Sequence, residues 1–147
     1  MNFLKNLFDR RPKVKAMIEM PTGSLKKIEI KNGKPVVDRE LTIPVPVSYG
    51  FIPGTLSEDG DPLDVFVISN KYLDTGDLVN VRVIGIFKCT DQGLEDDKVL
   101  AILEDEKVDS FEYMVKVANY LMNYKPGFEL EDYKRVKNVK DLERYKI

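Results

Sequence analysis

The 147-residue chain contains no histidine, no tryptophan and a single cysteine, Cys89. Without imidazole, Ser-His-Asp and Cys-His nucleophile systems, HExxH zinc sites and histidine proton shuttles are all excluded. One cysteine likewise excludes a cysteine-rich zinc centre and any intrachain disulfide. Catalysis, if present, rests on carboxylates, Lys, Arg, Tyr and hard cations. Long hydrophobic runs are absent too: a run such as Val83 to Phe87 is far short of the ~20 residues of a membrane span. The first eleven residues offer only Phe3-Leu4 and Leu7-Phe8 as apolar steps before Arg10-Arg11, with no signal-peptide apolar region, so a cytoplasmic protein is expected. An excess of one charge is also missing. Lys plus Arg number 23 against 25 Asp plus Glu, a formal charge of -2, without the basic surplus of a nucleic-acid binder. Neither a nucleic-acid nor a membrane partner is expected.

What remains is a soluble globular balance, 43% apolar and 33% charged, in a length that suits one domain spanning residues 1–147. Val14, Ala16, Ile18 and Met20 alternate with Lys13, Lys15, Met17 and Glu19, the period of a half-buried strand, with Glu19 turned away from the Ile18 face. A second alternation over Leu25 to Ile30 puts Lys27 and Glu29 on one face; the turn Lys31-Asn32-Gly33-Lys34 leads to a third strand, Val36 to Leu41, carrying Val37 and Arg39 on one face. Residues 43–54 hold three prolines and two glycines and read as an ordered extended connection, neither helix nor central strand. Core strands are expected over Leu63 to Ile68, over Leu78 to Lys88 with a break at Gly85, and over Lys98 to Leu103. From Ser110 the spacing becomes helical, with Phe111, Met114, Val115, Ala118, Leu121 and Met122 at three- and four-residue steps until Lys125-Pro126-Gly127. Asn138 caps a short terminal helix with Val139, Leu142 and Tyr145 on one face. Five or more short strands followed by helices make the expected fold α+β, a small curled barrel with helices packed outside.

The most distinctive segment is Asp59-Gly60-Asp61-Pro62-Leu63-Asp64, three carboxylates within six residues at a bend that makes them converge. Asp, Gly and Pro also cluster in ordinary surface turns. An exposed turn has no need of three like charges, however, and Asp64 lies inside an apolar run. A calcium loop of the EF-hand kind needs glycine at its sixth position, a distal Glu and flanking helices, all missing, whereas magnesium in an oxygen cage suits the segment. Three further groups carry charge. Asp91, Glu95, Asp96 and Asp97 precede Lys98 in a loop of the kind usually solvated. Lys27, Glu29 and Arg39 are compatible with an ordinary cross-strand ion pair, and Tyr124-Lys125 with a cation at a helix C-terminus.

Taken together and in this order, the four groups resemble the soluble family I inorganic pyrophosphatases over nearly the whole chain. The matching residues are Glu19 in Ile18-Glu19-Met20-Pro21, Lys27, Glu29, Arg39, Tyr49-Gly50, Asp59, Asp61, Asp64, Asp91, Asp96, Lys98 and Tyr124-Lys125. The resemblance implies a mainly-β fold, a small closed five-stranded OB-like β-barrel with flanking helices, and Mg2+-dependent hydrolysis of pyrophosphate to two orthophosphates. It implies that Asp59, Asp64 and Asp96 hold the first metal, with Asp64 shared with a second, and that Glu29 and Asp91 hold metals arriving with the substrate. Asp61 is then the general base. Lys27, Arg39, Tyr49, Tyr124 and Lys125 grip phosphate oxygens, Lys98 supports them, and Glu19 stands behind the ligands. Relatives of this size form homo-oligomers, often hexamers. The matching set has seven acids against four bases, so a substrate of about -4 requires several Mg2+ ions to enter it.

Two positions depart from the family pattern. Val45 stands where a phosphate-binding Tyr is usual, and Gln92 where Glu usually follows Asp91. Restoring the donor with Val45→Tyr is expected to lower the apparent Michaelis constant. Two other readings stand beside the first: a metal-dependent hydrolase of another phosphoanhydride, and a weakened relative that binds metal and phosphate as a regulatory module.

Overall fold

The computed structural model describes residues 9–57 and 60–146. Its strands are β1 (Lys13–Met20), β2 (Lys26–Lys31), β3 (Lys34–Glu40), β4 (Ser48–Ile52), β5 (Leu63–Ile68), β6 (Leu78–Asp91), β7 (Leu94–Glu95), β8 (Lys98–Leu103) and β9 (Phe128–Arg135). One α-helix, α1 (Ser110–Met122), and a terminal 3-10 turn, Val139–Tyr145, complete the described elements. Among the described residues no helix is long and apolar enough to cross a membrane.

Five strands form a ring. β1 pairs with β4, β4 with β5, β5 with β8, β8 with β6, and β6 returns to β1; only β5 with β8 is parallel. The expected five-stranded closure and mainly-β class are borne out. Alternation along the strands builds two cores. Val65, Val67, Val99 and Ala101 share one, sealed by Leu142 and Tyr145 of the terminal turn. Phe66, Ile68, Leu100 and Phe87 face the other, where Val117, Tyr120 and Leu121 of α1 pack. Asp109 starts that helix by accepting from Phe111 N, which satisfies one of its open N–H groups.

Four expectations need correction. Ser48–Ile52 is a central strand between β1 and β5, because Pro44, Pro46 and Pro53 all fall outside it and leave its N–H groups in place. Gly50 belongs there for a steric reason: a Cβ would lie 1.8 Å from the Met17 carbonyl oxygen. The buried face of α1 is Val117, Tyr120 and Leu121, whereas Phe111 and Met122 are exposed. β9 is an additional strand, bound along β6 from Gly85 to Asp91, where Gly85 makes room for the Tyr133 ring. Finally, the acidic segment after Asp91 is a tight β6–β7 hairpin rather than a solvated loop, with Gln92 and Gly93 both at positive φ.

Candidate active site

Two register shifts aim acidic side chains. In β1 the pairing jumps from Ile18–Gly50 to Met20–Tyr49, leaving Glu19 unpaired, so Ile18, Glu19 and Met20 are all buried despite the alternation. In the β2–β3 hairpin the pairing jumps from Lys27–Arg39 to Ile28–Val37, with Asp38 as the extra residue. Glu19 and Asp38 thereby reach one cavity of about 420 Å3 between this hairpin and the rims of β4, β5 and β8. Alternation had put Glu19 on one face and, by implication, Asp38 opposite Arg39; the bulges reset both.

That cavity collects most of the residues singled out from the sequence. Glu19, Lys27, Glu29 and Arg39 line it from one side; Tyr49, Asp61, Asp64, Asp96 and Lys98 form its floor, and Tyr124 and Lys125 close it from the end of α1. Asp91 stands one ion pair away, 2.9 Å from Lys125. Asp59 lies outside the described residues. Lys31, Asp38 and Phe51 also line the cavity; for Lys31 the period-2 continuation from Lys27 and Glu29 was the available signal.

At the centre is Lys98, 3% exposed. Its Nζ donates to Asp64 at 2.6 Å, to Asp96 at 3.3 Å and to Tyr49 Oη at 3.3 Å. Burial opposes its charge, but Asp64, together with Tyr49 and Asp96, outweighs burial and holds its pKa well above the ordinary value. Burial and then Asp64 push Tyr49 far up, so it stays a neutral phenol. Asp64 and Lys98 are also direct register partners in the parallel pair. Above them Lys27 lies 5.0 Å from the Tyr49 ring centre, and Arg39 donates to Tyr124 Oη at 3.5 Å. Glu19 accepts from Ile30 N at 2.8 Å; its burial lifts the carboxyl to about 7 against that bond and the Lys27 charge.

The pairing of Lys27 with Arg39 is informative. Like charges placed directly opposite repel, so the hairpin carries no cross-strand ion pair here; Glu29 instead pairs with Lys31 at 3.4 Å. Two cations facing one cavity make a rim suited to an anion. Carboxylates beneath them give the opposite sign. Among the described residues no three acids converge tightly enough to cage an ion by themselves, yet the donor set fits a hard cation: every candidate is a carboxylate oxygen, and Asp91 Oδ1 is buried without a hydrogen-bond partner. Soft ligation is absent here, since Cys89 is 2% exposed with its thiol pushed up to about 12 by burial.

A ring of five strands bearing a cavity with a basic rim and an acidic floor has the chemistry that suits a polyanion accompanied by hard cations. Comparison with known proteins makes this specific. Residues 16–146 match the family model described as inorganic pyrophosphatase. The chain is 40% identical over 137 residues to the inorganic pyrophosphatase of Corynebacterium efficiens, covering 90% of this chain and 82% of that one. It is 40% identical over 139 residues to that of Sulfolobus acidocaldarius, with 84% and 79% covered. The crystal structure of inorganic pyrophosphatase from Thermus thermophilus superposes with a TM-score of 0.81 at 28% identity, covering 94% of each chain. The chain belongs to the inorganic pyrophosphatase family, and is thus a hydrolase of the diphosphatase class.

Proposed function

We propose that the protein hydrolyses inorganic pyrophosphate to two orthophosphates with Mg2+ as its metal and Asp61 as the general base. The single observation that carries this is the stacking of the Lys27–Arg39 rim over the Asp64–Lys98–Asp96 floor in one cavity. Asp59, Asp64 and Asp96, with Glu29 and Asp91 at the edge, would hold magnesium. Bound there, the ions supply charge neutralisation and a water acidic enough to be deprotonated near neutral pH.

The chain's own groups divide the remaining work. Lys27, Arg39 and Lys125 bind phosphate oxygens by charge-assisted hydrogen bonds, and Tyr49 and Tyr124 donate their phenolic protons to the same oxygens. Arg39, held against Tyr124 Oη, and Lys125, held against Asp91, are oriented before substrate arrives. Asp61 accepts the proton of the attacking water; its main-chain oxygen accepts from both Ser57 N and Ser57 Oγ, at 2.8 and 2.7 Å, which fixes the turn that carries it. Lys98 keeps Asp64 and Asp96 together despite their like charges. The exposed Phe111, Val115 and Met122, within one face of α1, support assembly of a homo-oligomer.

The test is phosphate release from pyrophosphate, ATP and tripolyphosphate by purified protein across a Mg2+ titration. Turnover of pyrophosphate is expected to dominate; its absence at every Mg2+ concentration would refute the proposal, and a preference for ATP would replace it. Asp61→Asn is expected to slow turnover by about 10²–10⁴ with Mg2+ binding retained, and near-wild-type turnover would remove Asp61 from its role.

A further inference from the structure

The residues around Asp96 face two ways. Asp96 and Lys98 line the active cavity, whereas Glu95 and Asp97 line a separate cleft of about 220 Å3 together with Arg144 and Tyr145 of the terminal turn. Both neighbours of Asp96 are therefore held from behind. Arg144 Nη2 reaches Glu95 at 2.6 Å, and Tyr145 Oη donates to Asp97 Oδ2 at 2.5 Å. Lys88 bridges the two acids, pairing with Asp97 and lying 3.3 Å from Glu95. The Asp97 side chain is 2% exposed, a carboxylate whose burial is supported by Lys88, Tyr145 and the Cys89 N–H, which donates to Oδ1 at 3.0 Å. Cys89 also accepts from Asp96 N at 2.8 Å, so one residue of β6 grips consecutive residues of the segment entering β8.

We propose that the Arg144-Tyr145 turn is a clamp that positions Asp96 and Lys98 through Glu95 and Asp97. Pinning the residues on both sides fixes the Asp96 backbone, and Lys98 Nζ, 3.3 Å from both of its oxygens, holds the carboxylate on that fixed base, so a cation meets it with little ordering left to be done. The residues act through their neighbours and touch neither substrate nor metal. Asn138 secures the turn at its other end, accepting from Lys140 N while Asp141 accepts from Asn138 N. The clamp rests on the assignment of Asp96 as a magnesium ligand, and its test separates the two ideas.

The experiment is calorimetric titration of the full chain with Mg2+ alone, for Tyr145→Phe, Arg144→Met, the double variant and Asp96→Asn, beside circular dichroism and melting in chelator. Tyr145→Phe is expected to weaken Mg2+ binding about fivefold, a fraction of what a charge-assisted hydrogen bond is worth being passed on to the site, and the double variant more. Their secondary structure is expected to be wild type. A part in stability alone would lower the melting temperature and leave Mg2+ affinity unchanged, and that result overturns the clamp. If the double variant fails to fold, the two single variants, each trimming one group, decide. Wild-type affinity in Asp96→Asn would refute the ligand assignment and the clamp with it; loss there, with none in the Tyr145 and Arg144 variants, refutes the clamp alone.

Discussion

Replacing Gly50 with alanine tests how tightly the ring is closed. The added Cβ would lie 1.8 Å from Met17 O, 2.8 Å from Met17 C and 3.1 Å from Ile18 Cα, all main-chain atoms of β1 that no rotamer change can move. Restoring an ordinary contact of roughly 3.4 Å demands that β1 and β4 separate by about 1.5 Å, enough to break the hydrogen bonds flanking Ile18–Gly50. Losing two such bonds at about 1 kcal/mol each, plus about 1–3 kcal/mol of overpacking, gives a destabilisation of about 3–5 kcal/mol. Gly54→Ala is the control. Gly54 has φ +83 with nothing near its missing Cβ, so only the left-handed backbone is penalised, about 1–2 kcal/mol. Urea denaturation of the three proteins in chelator measures both. A Gly50→Ala loss no larger than that of Gly54→Ala would refute the close approach of β1 to β4.

Three further substitutions probe the cavity and its surroundings. Glu19 carries its raised pKa, about 7, only in the folded state, so folding retains a proton the unfolded chain releases, and stability falls as pH rises from about 4.5 to about 7. In chelator, Glu19→Gln is expected to remove about 2 kcal/mol of that fall, allowing for solvent screening; an identical difference between pH 4.5 and pH 8 in both proteins would refute it. Val45 is 1% exposed among Met20, Val47 and Tyr49, so Val45→Tyr is expected to cost about 1–3 kcal/mol in melting experiments before any added donor helps, and unchanged stability would show that the core has room for the ring and refute the expectation. Gln92 Nε2 donates to Pro126 O at 3.3 Å, a bond that a carboxylate cannot make, so Gln92→Glu is expected to loosen the Lys125 turn and raise the Michaelis constant about 2–5-fold. An unchanged constant with tighter Mg2+ binding would show that charge, not the hydrogen bond, matters there.

Most strands were legible from local signals: alternation marks β1 and the β2–β3 hairpin, and short apolar or β-rich runs mark β5, β6 and β8, of which β5 and β8 are buried on both faces. β4 was not, because Pro44, Pro46 and Pro53 surround it and composition cannot say on which side of a strand end a proline falls. The apolar spacing located α1 but not its buried face, because Phe111 and Met122 are apolar yet exposed, so hydrophobicity and burial part company there. In the site, residue types and their order pointed to Lys27, Arg39, Asp61, Asp64, Asp96 and Lys98, and one cavity unites them. The contribution of Asp38 depends on a bulge, and the burial of Lys98 on a parallel pairing. Both are tertiary facts with no counterpart in local spacing.

The β5–β8 pairing also sets when the site comes into being. Asp64 and Lys98 are 34 residues apart, and Arg39 and Tyr124 85 apart, so neither contact exists until distant segments have met. The β2–β3 hairpin, by contrast, needs only its own turn. During refolding, Lys27 and Arg39 would come side by side early and attract phosphate indiscriminately, while hydrolytic competence would return only with the last rung of the ring. Recovered turnover is therefore a stopwatch on closure of the sheet, and it should lag behind any optical signal that registers strand content alone.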